Sequence, residues 1–245
     1  MKRKLFIFSL LAFLTIGLSA CAGTSLNQGP VIKETLSRKN FDSLRVNAST
    51  SNVQLIASNH AKVYYDGPDK VKPKISIKKG TLVVTQKNLG SDISIGSGNN
   101  VIKIYVPKKL LTLVSIQAEN GNVDGTGNIS AKHINFNSSN GNINLATLIT
   151  TDGVANAGNG NITISNLKSI AGFNIYTSNG YAKINNCNAS GFNLYSGNGE
   201  VTIDAGIAST NGNSNDEGTG GSYKKNIHSK NVLHVVSDNG DVTVR

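Results

Sequence analysis

The dipeptide Asn-Gly recurs as Asn120-Gly121, Asn140-Gly141, Asn159-Gly160, Asn179-Gly180 and Asn198-Gly199, at steps of 20, 19, 20 and 19 residues, and returns at Asn239-Gly240. So constant a period predicts a repeat architecture, in which each unit buries its apolar face against its neighbours.

Alignment on the Asn gives apolar columns. Four residues before it stand Ile116, Phe136, Ala155, Ile175, Leu194 and Val235; three after it stand Val123, Ile143, Ile162, Ala182, Val201 and Val242. The columns six before and five after are also mostly apolar, and Asn, Ser, Thr, Lys and Asp fill the positions between. Period-two alternation on both sides of the Asn predicts two short strands per repeat, joined at an Asn-Gly corner. The residue two before the Asn is always small (Ala118, Ser138, Ala157, Thr177, Ser196, Ser237), as a tight corner requires.

An antiparallel β meander is the alternative, because Asn-Gly between alternating strands is also a hairpin signal. A meander has no reason to hold every repeat to 19 or 20 residues, whereas stacked coils must. The reading is therefore an all-β chain folded as a parallel β-solenoid of about 20 residues per coil. The corner Asn side chains are expected to hydrogen-bond up the stack, with each Gly taking a positive φ.

At the N-terminus Lys2, Arg3 and Lys4 precede the apolar run Leu5 to Leu18, which ends in Leu18-Ser19-Ala20-Cys21. A basic segment, an apolar segment and small residues at the cut describe an exported precursor with residues 1–20 as its signal peptide. The tetrapeptide resembles a bacterial lipobox, which implies that Cys21 carries diacylglycerol and a further acyl chain such as palmitate. Two or more chains anchor stably where one does not. The expected location is the extracytoplasmic face of the bacterial cell membrane, and the expected partner is that membrane through the anchor. Cys187 is then the only other cysteine, which leaves no partner for an intramolecular disulfide. It falls in the column of Leu148 and Leu167, the place of a small buried hydrophobe.

Charge is unevenly placed. Residues 33–109 carry 14 Lys or Arg against five acids, while 110–245 carry seven against nine. A basic half next to the anchor suits anionic headgroups or envelope polymers. Nucleic acid is not expected, since the chain has no recognised binding motif and no Arg between Arg45 and Arg245.

Residues 21–39 read as a polar tether and 40–245 as the solenoid, with regular coils from about 110. About ten coils are expected, a rod near 50 Å long. Residues 210–222, rich in Gly, Asn and Ser, read as an insertion within a degenerate coil. Lys224, Lys225, His228 and Lys230 follow it as a basic group in a solvated loop.

The Cys21 motif, the segment Phe41-Asp42-Ser43-Leu44-Arg45-Val46, the segment Lys103-Ile104-Tyr105-Val106-Pro107 and the repeated Ser-x-Asn-Gly units together resemble the bacterial putative adhesin domain family, related to the head GIN domain. The resemblance covers about residues 40–245. It implies a right-handed parallel β-helix on the cell surface, an adhesin role, and no catalytic residues.

Catalysis on this fold needs clustered carboxylates or a metal. Asp124 instead shares its column with Asn144, Thr163, Lys183, Thr202 and Thr243, and the four His have no metal-ligand spacing. The expectation is a non-catalytic surface module with neither metal nor cofactor. A carbohydrate-active enzyme is the alternative, and an assembly component whose terminal coil at Val244-Arg245 pairs with another chain is a third reading. The candidate binding residues are Tyr176 and Tyr195, which share an outward column, with Tyr181 and Lys183 near them. Glycans and surface proteins are the expected ligands.

Overall fold

The computed structural model describes residues 29–87, 100–189 and 192–203, together with strands at 213–217, 220–225, 233–237 and 242–244. Seven strands come first: β1 (Val31–Ser37), β2 (Ser43–Ala48), β3 (Asn52–Ser58), β4 (Lys62–Pro68), β5 (Lys74–Lys78), β6 (Thr81–Thr85) and β7 (Val101–Pro107). The repeat region supplies β8 (Leu111–Ala118), β9 (Val123–Ser138), β10 (Ile143–Ala157), β11 (Ile162–Asn179), β12 (Ala182–Ala189), β13 (Phe192–Asn198) and β14 (Val201–Ile203). The last four are β15 (Asn213–Glu217), β16 (Gly220–Lys225), β17 (Leu233–Ser237) and β18 (Val242–Val244).

The repeat strands stack in parallel, one coil on the next, with Ile143 opposite both Val123 and Ile162, and Ala155 opposite both Phe136 and Ile175. This is the expected parallel solenoid, and the meander is excluded. Each coil has three sides rather than two strands. In β9 the buried residues are Val123 and Gly125, then Ile129 and Ala131, then Ile134, Phe136 and Ser138, so the alternation slips twice within one coil. Each slip turns the chain while keeping the next apolar residue inward. The first side follows the Asn-Gly corner, and the third leads to the next corner.

Inside, volumes compensate from coil to coil. Gly153 stands beneath Phe173, whose ring occupies the place of a Gly153 side chain, and Leu145 fills the space beside Gly125. Cys187 is buried opposite Leu167, in the expected column.

On the first side the order of strands is β1, β4, β7, β3, β9, β10, β11, β12, β14, β18. On the third it is β5, β6, β2, β8, then β9 to β11, then β13, β17, β16, β15. The coil β6–β7 therefore lies beneath β2–β3, although it follows in sequence, and β8–β9 lies above. Among the described residues eight parallel coils form, not ten: β6–β7, β2–β3, β8–β9, β9–β10, β10–β11, β11–β12, β13–β14 and β17–β18. At about 4.8 Å per coil the parallel stack is about 40 Å tall. The remaining strands are antiparallel and close the ends.

Two expectations about segments are corrected by these strands. Residues 31–37, expected within the tether, form β1, which pairs antiparallel with β4. The insertion at 210–222 is not a degenerate coil: β15 and β16 make an antiparallel hairpin, and β16 lies antiparallel on β17, covering the third side at that end. At the opposite end β5 places Lys74 and Lys78 on the edge, where charge opposes pairing with another chain.

Candidate binding face

The corners fix where outward side chains stand. Asn140 Nδ2 donates to Asn120 Oδ1 at 2.9 Å, Asn159 Nδ2 to Asn140 Oδ1 at 2.8 Å, Asn179 Nδ2 to Asn159 Oδ1 at 2.8 Å and Asn198 Nδ2 to Asn179 Oδ1 at 2.9 Å. A second ladder runs two residues on. There Asn52, Asn122, Asn142 and Asn161 each accept the backbone N–H of the matching residue in the next coil, at 2.8 to 3.0 Å. The small residue before the corner has a use beyond size, since the hydroxyls of Ser138, Thr177 and Ser196 donate to the carbonyls of Gly121, Gly160 and Gly180.

The corner glycines are not explained by positive φ, which among the described ones only Gly180 (154°) and Gly199 (159°) have. A Cβ on Gly141 would overlap the carbonyl oxygen of Gly121, and the same clash repeats for Gly160 on Gly141, Gly180 on Gly160 and Gly199 on Gly180. Close approach of backbone to backbone is what demands glycine here. Asn239 and Gly240 lie outside the described residues, as do Cys21 and residues 1–20 before it.

Where the first coil bears on the inserted one, the Asn-Gly corner is replaced by Thr50-Ser51 and a buried polar network. Gln86 Oε1 accepts the N–H groups of Thr50 (3.0 Å) and Ser51 (3.1 Å), and its Nε2 donates to Ser51 Oγ and Val71 O, each at 2.8 Å. Ser51 Oγ in turn donates to Asn100 Oδ1, which also lies 3.2 Å from the Tyr65 hydroxyl, while Tyr65 donates to Pro68 O at 2.9 Å. Tyr65 is fully buried, and burial, reinforced by Asp69 and Asp66, pushes its hydroxyl well above the usual tyrosine range. The unfolded chain therefore loses this proton first, near pH 10, and the stabilisation from Tyr65 is lost as pH rises through that region toward the folded value. Between pH 10 and 11 the stability of the wild type should fall more steeply than that of Tyr65→Phe, by up to about 1.4 kcal/mol per pH unit. Parallel slopes in urea unfolding would contradict this.

Tyr176 and Tyr195 pair directly on adjacent coils of the third side, and Tyr176 is 38% exposed. Tyr181 and Lys183 lie on the first side, round the Asn-Gly corner, so the four residues do not share one face. Lys183 stands in register with Thr163 and Thr202. Lys224 and Lys225 lie in β16 rather than a loop, while His228 and Lys230 lie outside the described residues.

The first side also carries a surface that the sequence reading missed. Its outer face holds one column running Tyr64, Lys103, Gln54, Asp124, Asn144, Thr163 and Lys183, and beside it another running Lys62, Tyr105, Ile56 and Thr126. At the β4–β7 end, antiparallel register sets Lys62 opposite Tyr105 and Tyr64 opposite Lys103, a checkerboard of two cations and two rings. Lys62 Nζ lies 4.0 Å from the Tyr105 ring centre and 5.8 Å from that of Tyr64. Above it the face hollows into a groove of about 510 Å³ lined by Gln54, Ile56, Asp124, Thr126, Asn144 and Thr163 among others. Asn144 Nδ2 donates to Asp124 Oδ1 at 3.1 Å. The available signal was the twice-occurring Lys-x-Tyr, Lys62-Val63-Tyr64 and Lys103-Ile104-Tyr105, in which period two puts both residues on one face. Among the described residues no three of His, Cys, Asp or Glu gather as a metal site.

Stacked coils, corner ladders and outward polar columns define a repeat protein of the parallel β-solenoid class. The chain belongs to the family described as Toastrack DUF4097, which it matches over residues 41–213. It is similar to a crystal structure named as a putative adhesin from Bacteroides fragilis NCTC 9343, at 17% identity and a TM-score of 0.48, over 88% of this chain and 96% of that one. A putative cell adhesion protein from Clostridium sporogenes ATCC 15579 is similar at 13% identity and a TM-score of 0.45, over 88% and 99% of the two chains. A putative lipid binding protein from Parabacteroides distasonis ATCC 8503 is similar at 13% identity and 0.40, over 72% and 88%. No curated protein matches the chain.

Proposed function

We propose that this chain is a lipid-anchored envelope protein whose solenoid serves as a non-catalytic adhesin or structural interaction module on the extracytoplasmic face. The observation that carries the reading is the outer face of the first side, where regular columns of polar and aromatic side chains surround an open groove. Such a face offers many equivalent contacts to an extended ligand, and its rigidity, set by the corner ladders, keeps the ordering cost of binding low. The sequence Leu18-Ser19-Ala20-Cys21 supports the anchor.

The test has two readouts. Cys21→Ser should move the protein from the membrane fraction to the soluble fraction and abolish labelling by a palmitate analogue. The purified chain should give at least one saturable interaction on a panel of envelope glycans, wall polymers and matrix proteins, with no release of cleaved glycan. Binding to no class on the panel, or turnover of a polysaccharide, would overturn the interaction role.

A further inference from the structure

We infer that the first side binds a linear, carboxylate-bearing polysaccharide that lies along the stacking axis, from the Lys62, Tyr64, Lys103, Tyr105 checkerboard into the groove above it. The inference rests on the interaction role proposed above and names its ligand class.

Three features of that strip fit one ligand. Lys62 and Lys103 are diagonal neighbours on antiparallel strands, which places them about 7–8 Å apart. Neither is in an ion pair among the described residues, whereas Lys33, Lys72 and Lys109 are spent on Asp66, Glu34 and Asp42. These two ammonium groups are thus available to carboxylates on a chain crossing the checkerboard. Tyr64 and Tyr105 alternate with them, half-buried, and offer sugar rings the ring surface that Lys62, whose Nζ lies over Tyr105, leaves uncovered. In the groove, Gln54, Asn144 and Thr163 present neutral hydrogen-bonding side chains on three coils, with Asp124 on the coil between Gln54 and Asn144, so hydroxyls on successive sugars meet a polar partner at each coil.

The two lysines of the strip stand together at its checkerboard end. Asp124 stands in the same column, two strands from Lys103, and opposes an anion that penetrates the groove. A bare phosphate polymer could use the two lysines but would gain nothing from the rings, and a neutral glycan could use the rings and groove but not the lysines. An acidic polysaccharide uses all three.

Polygalacturonate is the probe, titrated into the full chain purified in detergent at low and moderate salt, with dextran and inorganic polyphosphate in parallel. Saturable polygalacturonate binding is expected, weakening with salt, and tighter than either comparison polymer. The double variant Lys62→Gln/Lys103→Gln should weaken it tenfold or more, and Tyr64→Ala/Tyr105→Ala by a comparable factor. Tyr64→Phe/Tyr105→Phe, which keeps the rings and the packing, should retain most of the affinity and so separates lost contact from lost folding. Asp124→Asn should strengthen binding a few-fold, and Tyr176→Ala should leave it unchanged. Equal binding of polyphosphate with no effect of the tyrosine variants would reduce the strip to a generic cationic patch and overturn the inference. Absence of polygalacturonate binding would overturn it too, while a hit from the wider panel insensitive to these variants would leave the interaction role standing.

Discussion

Gly141→Ala should cost the protein about 3 kcal/mol or more, a large part of the stability of an ordinary domain. The added Cβ meets the carbonyl oxygen of Gly121 in the coil beneath, closer than atoms of these types can stand. Both partners are backbone, held by the Asn140 to Asn120 bond and by Val123 N–H to Asn142 O at 2.8 Å, so no rotamer change can relieve the overlap. Coils must part locally. Gly125→Ala is the control, because its Cβ would stand 2.7 Å from Leu145 Cδ2, the end of a side chain that can turn away. About 1 kcal/mol is expected there, at the low end of overpacking costs. Since stability in a solenoid is close to a sum of coils and interfaces, a defect at one interface should also broaden the transition. Urea unfolding of the two variants and the wild type measures both effects; a Gly141→Ala loss no greater than that of Gly125→Ala would show that the corner backbone yields, and would remove the close-approach explanation.

The corner glycines show which features a sequence carries. The period, the inward columns from Val114 onward and the Asn ladder were legible, because stacking forces equivalent residues into register and so repeats itself in the letters. Positive φ and close approach both select glycine, and only coordinates separate them. The third side was hidden because the alternation resumes after each slip, as between Gly125 and Ile129 in β9. The first coil lacks Asn-Gly, yet Leu44, Val46 and Ala48 before Thr50, and Val53 and Leu55 after it, keep the column spacing. That spacing could have found it. Nothing local could have revealed that β6–β7 enters beneath β2–β3, since strand order is decided by which edge is free when the chain returns. The candidate face depends on the same inversion: Lys62 and Tyr64 meet Lys103 and Tyr105 only because β4 turns back along β7.

That inversion leaves a seam, and Gln86 closes it. Gln86→Ala should destabilise the chain by about 3 kcal/mol or more, because it strips partners from three backbone groups at once, two of them buried and one partly so, and each group left unsatisfied costs about 1–3 kcal/mol. The groups are the N–H of Thr50, the N–H of Ser51 and the carbonyl of Val71. Ser51→Ala, at the same seam, should cost nearer 1 kcal/mol. There the amide of Gln86 keeps Val71 O and the N–H groups of Thr50 and Ser51, so only Asn100 Oδ1, which loses the Ser51 hydroxyl, is left short of a donor. The location of the damage distinguishes a seam from a general loss. Amide exchange should quicken through β6, β7 and β4, which hang on the inserted coil, and stay slow through β10 and β11, whose neighbours are intact. Because β4 and β7 carry the checkerboard, binding at the first side should weaken in step with that local opening. Uniform acceleration across all coils, or a Gln86→Ala loss no larger than that of Ser51→Ala, would mean that the seam is held by its apolar contacts and that the network is incidental.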